Sequence, residues 1–164
     1  MSDRTSQLQT QLKMLYDQLD GFEMAKVTSR DEDKVMLQQR IDLKWKEIRE
    51  KDGDYVRSLA QQVKKQDLPE PIAIEIVGEL VDELELIQPK TDEMRSMLQQ
   101  ILTELQKPGI PAAAKLKVAI PLVPGFVAIE LEGDAESVVR RLFPTFVRAY
   151  EGVRAIGSGD QSGK

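Results

Sequence analysis

The chain has 164 residues, a net charge of −5, 41% apolar residues and only 5% aromatics, enough for one domain or a small domain with a helical extension. It has no cysteine and no histidine, which excludes disulfides, thiol nucleophiles, Cys/His zinc sites and histidine acid–base chemistry. The acidity is local: residues 67–132 hold 12 Asp/Glu against 5 Lys/Arg, whereas residues 1–66 hold 12 against 13, so the middle of the chain repels phosphate backbones and argues against nucleic-acid binding.

Leu8, Leu12, Leu15, Leu19 and Phe22 recur at alternating steps of four and three, the spacing of a coiled-coil seam. The N-terminal residues are polar and carry no apolar signal core, and the longest apolar run, 118–129, is too short to span a bilayer, so a soluble, cytoplasmic location is expected. Ser29 and Glu32 fit a capping box that would start a second helix. Its stripe runs Leu37, Ile41, Trp45, Ile48, Tyr55 and Leu59, and the short connection predicts that the two helices fold back antiparallel. Gly53 lies inside the second helix and weakens it by about 1 kcal/mol.

Asp67 is the expected cap of a third helix, with a proline in its first turn and a stripe of Ala73, Ile76, Val77, Leu80, Leu84 and Ile87. Thr91 is placed to cap a fourth, carrying Met94, Leu98, Ile101, Leu102 and Leu105, which Lys107-Pro108-Gly109 stops.

From Lys115 the pattern reads as period two. Leu116, Val118, Ile120 and Leu122 alternate with Lys115, Lys117, Ala119 and Pro121, and Val127, Ile129 and Leu131 alternate with Ala128, Glu130 and Glu132. Folded at Val123-Pro124-Gly125, the strands pair Leu116 with Leu131, Val118 with Ile129 and Ile120 with Val127. The other face pairs Lys117 with Glu130 and Lys115 with Glu132. A β-hairpin with open edges is the expectation, its edges paired by residues 110–114 or by another chain. Asp134 would cap a covering helix with Val138, Val139, Leu142, Phe143, Phe146, Val147 and Tyr150 on one face and Pro144 as a kink.

The expected fold is therefore α+β: an N-terminal antiparallel, coiled-coil-like helical hairpin over 1–66, then helices packed on a β-hairpin or small antiparallel sheet over 67–156, then a disordered tail over 157–164. Gly163-Lys164 does not make a phosphate loop, since residue 158 is Ser and no strand precedes it. Carboxylate pairs at Glu79/Glu83 and Asp92/Glu93 read as exposed helix acids. Arg140, Arg141 and Arg148 read first as the solvent face of the covering helix and second as a site for an acidic partner, such as segment 75–85 of another copy. No nucleophile–base pair stands out, no cofactor or metal is expected, and an enzyme is not expected.

The blocks Leu12–Leu19 (LKMLYDQL) and Lys34–Ile41 (KVMLQQRI) resemble helical segments near the ends of bacterial conflict-system proteins that carry NACHT-type ATPases, TIR domains or caspase-like proteases. Ala113–Gly125, continuing to Glu130-Leu131-Glu132, resembles a second recurrent block of these systems, the effector-associated domains. The C-terminal half resembles the N-terminal α+β domain of the death-domain adaptor of the tumour-necrosis-factor receptor. The resemblance implies an adaptor in bacterial immunity or programmed cell death. It would associate with itself or with a signalling ATPase, protease or TIR effector in trans, because the chain contains none of those domains. The residues expected to carry association are Leu12, Leu15, Leu19, Ile41 and Ile48 on the seam, Lys117 and Glu130 in the hairpin, and Arg140 and Arg141. The rival expectation is a small membrane-perturbing effector that inserts its apolar β-hairpin after oligomerising.

Overall fold

The structure, a computed structural model, describes residues 3–130 and 136–162, with side chains described over 3–127 and 140–155. The described residues contain helices and no strand: α1 (Arg4–Thr28), α2 (Asp31–Lys65), α3 (Glu70–Glu85), α4 (Asp92–Leu105), α5 (Ala112–Ala119), a 3₁₀ turn (Ile120–Leu122), α6 (Val123–Glu130) and α7 (Glu136–Ser162). The chain divides into two compact units, Met1–Tyr55 and Val56–Lys164, and the division falls inside α2.

The first unit is an antiparallel hairpin. Asp3 caps α1, its Oδ1 accepting from the Ser6 amide at 2.7 Å. Contacts between the helices run in opposite directions along the two chains. Arg4 pairs with Asp54 at 3.8 Å, Tyr55 donates its hydroxyl to Gln9 at 2.6 Å, Lys44 donates to Gln18 at 2.7 Å, and Lys26 donates to Gln38. The α1 seam is Thr5, Leu8, Leu12, Tyr16 and Leu19, all buried. Leu15 and Phe22, expected on that seam, are only half-buried. Two successive four-residue steps, Leu8 to Leu12 to Tyr16, rotate the buried stripe so that Tyr16 takes the place expected for Leu15. Its ring meets Trp45 edge-on, centroids 6.3 Å apart and planes at 79°, a geometry that contributes about 0.5–1.5 kcal/mol beyond buried area.

The capping box expected at Ser29 and Glu32 is absent. Ser29 ends α1 instead, its amide donating to the Lys26 carbonyl and its hydroxyl to the Ala25 carbonyl.

In the second unit α3 packs against α7, α5 and α4, and α4 packs against α5 and α6. Here the α+β expectation is overturned. Segment 112–130 is helical throughout, interrupted only by the 3₁₀ turn. Its buried residues are Ala112, Ala113, Leu116, Ala119, Ile120, Val123, Phe126 and Val127. They recur every three to four positions, the helical period. Val118, placed on the inner face of the expected hairpin, is 49% exposed. The pairing of Lys117 with Glu130 does not exist as a strand register: Lys117 lies on α5, where it pairs with Asp67, and Glu130 is the last residue of α6. Lys115 also lies on α5, while Leu131, Glu132 and the expected cap Asp134 lie outside the described residues. Of residues 110–114, expected as a source of a further strand, Pro111 is the N-cap of α5 and residues 112–114 are its first turn.

The two prolines of this segment fit because each sits in a first turn. Pro121 falls in the 3₁₀ turn and Pro124 is the second residue of α6, positions where a missing amide donor costs little.

Glu70 does what Asp67 was expected to do, but for a different helix. The N-terminus of α3 has no side-chain cap. The Glu70 carboxylate instead accepts from the amides of Ala112 at 2.7 Å and Ala113 at 3.1 Å, capping α5 across 42 residues of sequence. With Lys117 of α5 bound to Asp67, the start of α3 holds α5 at two points. Replacing Glu70 by Ala should therefore cost about 1–2 kcal/mol, read as a lower urea midpoint with an unchanged m-value. Gly152 permits the close approach of α7, since a Cβ there would sit 2.8 Å from Leu68 and 3.3 Å from Ile72. The α7 backbone continues past Pro144 and through Ser162, into the segment expected to be an irregular tail. Thr91 does cap α4, accepting from the Met94 amide at 3.1 Å.

Candidate functional site

Two places draw attention: the surface and seam of the hairpin unit, and the charged cleft between α3 and α7.

On the hairpin the residues expected to join partners prove to be core. Leu12, Leu19, Ile41 and Ile48 are buried, so a partner would have to open the hairpin to reach them. Leu15 is half-buried. What the hairpin leaves in solvent is a different set of apolar side chains: Met14, Met24, Val27, Val35, Met36 and Leu43, each at least half exposed. Four of them, Met24, Val27, Val35 and Met36, flank the turn between α1 and α2. Sequence reasoning missed them because a seam template scores one stripe and leaves the remaining apolar residues as background. Their signal was simply their apolar character off the seam. Methionine suits such a surface, because its flexible thioether adapts to varied partner shapes.

The seam also holds an acid. Asp52 follows Ile48 by four residues and precedes Tyr55 by three, so it occupies a full seam position of α2. It is 3% exposed, and its Oδ1 has no hydrogen-bond partner among the described residues. Burial pushes its carboxyl from the ordinary range up to about 7, because an ion removed from water without a compensating charge is disfavoured.

The cleft between α3 and α7 encloses about 340 Å³ and is lined by Glu79, Asp82, Glu83, Arg141, Thr145 and Arg148. Arg148 spans to α3, donating to Glu75 at 3.0 Å and also pairing with Glu79. The acidic segment expected to meet these arginines in another copy is thus already engaged by one of them within the chain. Arg141 lines the cleft with an exposed side chain, and Arg140 is half-buried on the same helix. Among the described residues no three acidic side chains converge as a metal site would require, and no described helix is long and apolar enough to cross a membrane.

Comparison with protein families, with curated proteins and with solved structures returns no match for this chain.

Proposed function

We propose that this protein is a non-catalytic interaction module that works by self-association, an adaptor rather than a processor of small molecules. The observation that carries this reading is the apolar surface of the hairpin: a unit whose seam is closed within the chain still holds Met24, Val27, Val35, Met36 and Leu43 in water. Single exposed apolar residues are ordinary; what supports an association surface is that four of these, Met24, Val27, Val35 and Met36, flank one turn. The setting in bacterial immune or death signalling, in the cytoplasm and upstream of an ATPase, protease or TIR effector, rests on the resemblance of Leu12–Leu19, Lys34–Ile41 and Ala113–Glu132 to modules of those systems.

The membrane-perturbing alternative loses its motivating feature. The apolar run that was to insert as a β-hairpin is helical from Val118 to Glu130, and Ile120, Val123, Phe126 and Val127 within it are buried.

Sedimentation equilibrium from micromolar to millimolar protein tests the reading. Self-association predicts an average mass that climbs above 18.5 kDa with concentration, and a mass fixed at the monomer value throughout would overturn it.

A further inference from the structure

The outer side of α2 carries a second stripe with heptad spacing. Met36, Arg40, Leu43, Glu47 and Glu50 follow one another at steps of four, three, four and three, and all five are exposed. On a helix that spacing places them on one face. The seam residues Ile41, Trp45 and Ile48 are out of phase with them by about half a turn, so the stripe faces away from α1. Met36 is 50% exposed and Leu43 64%.

We propose that two copies of this chain pair antiparallel along this stripe, about a two-fold axis at Leu43. The charge pattern selects both the partner and the direction. With the helices antiparallel and Leu43 against Leu43 of the second copy, Arg40 of each copy lies opposite Glu47 of the other, and the contact repeats itself by symmetry. A parallel pairing would set Arg40 against Arg40 and Glu47 against Glu47, which repel. The self-complementary order Arg–Leu–Glu is what an isologous interface requires, since one patch must serve both sides.

The partners these charges have within the chain leave them available. The only polar contact of the Arg40 guanidinium among the described residues is the Met36 sulfur at 3.9 Å. Glu47 meets Lys44 at 3.6 Å with its own side chain more than half exposed, a surface pair of small energetic weight. Met36 then covers the flank, lying opposite the aliphatic stem of Glu50 of the second copy. A contact of four helical turns buries less surface than a permanent dimer, so the pairing is expected to be reversible and concentration-dependent.

The inference rests on the self-association reading, and its test separates the two. The chain has no cysteine, so Leu43→Cys introduces a single thiol at the proposed axis. Under mild oxidation of the full chain it should give a disulfide-linked dimer in high yield, while Leu86→Cys, at a comparably exposed site in the turn that ends α3, should not. Leu43→Asp should weaken association by about tenfold or more without changing the helical circular dichroism. Arg40→Glu and Glu47→Arg should each weaken it, and the two together should restore it. Association that persists while Leu43→Cys fails to cross-link and the charge pair shows no rescue would overturn the antiparallel stripe and leave self-association standing. A chain that stays monomeric at every concentration would overturn both.

Discussion

Raising the pH from about 4 to about 8 is expected to strip stability from this protein, and a single side chain, Asp52, accounts for the largest part of the loss. Its carboxyl is pushed up to about 7 in the folded chain and returns to about 3.9 when the chain unfolds. Between those values the folded state holds one more proton than the unfolded state. Stability therefore falls as pH rises, by about 1.4 kcal/mol per unit. The favourable balance is complete below about pH 4 and gone above about pH 7, a span on the order of 4 kcal/mol.

Replacing Asp52 by Leu should flatten this dependence and raise stability most at alkaline pH, because a buried apolar seam residue carries no ionisation cost. Urea titrations of the two proteins at several pH values read the effect as a difference in slope, which removes the contribution of every other carboxylate. Parallel curves would mean that Asp52 is ionised at neutral pH and satisfied in the fold.

Removing the Phe126 ring should be nearly as damaging. Phe126 is fully buried on α6, and Phe126→Ala is expected to cost about 3–5 kcal/mol through lost burial and the cavity left behind. Val118→Ala, on the exposed side of α5, should cost less than about 0.5 kcal/mol. The contrast discriminates the two ways of folding this segment. A β-hairpin turns Val118 inward and leaves Phe126 beside the turn, so it would reverse the order. Chemical denaturation of both variants decides between them.

The reason segment 115–132 reads as a hairpin is instructive. Leu116, Val118, Ile120 and Leu122 alternate with Lys117, Ala119 and Pro121, and that alternation counts Ala119 as an outward position. In the structure Ala112, Ala113 and Ala119 are buried, and with them included the period becomes three to four rather than two. Alanine is also the strongest helix former, so the run Ala112-Ala113-Ala114 was itself a helix signal. The prolines argued against a helix only if one continuous helix was imagined. Two short helices joined by a 3₁₀ turn put each proline in a first turn.

The helical hairpin was more legible, because a heptad seam survives small errors of phase. Tyr16 displaced Leu15 without changing which helices pair. Asp52 is legible as well: Ile48 and Tyr55 stand seven residues apart, and the seam position between them is Asp52. A template that scores only apolar residues skips an acid on the stripe. Long-range caps such as Glu70 on α5 leave no sequence signal, since neither residue indicates which distant amide it will meet.

The proposal that copies join through the outer stripe of α2, and not through the seam that closes the hairpin, is tested most directly by amide chemical shifts of the isotope-labelled chain followed on dilution. The expected result is that shifts change with concentration over Met36–Glu50 and hold still over Leu116–Phe126. Changes centred elsewhere, or no change anywhere, would contradict it.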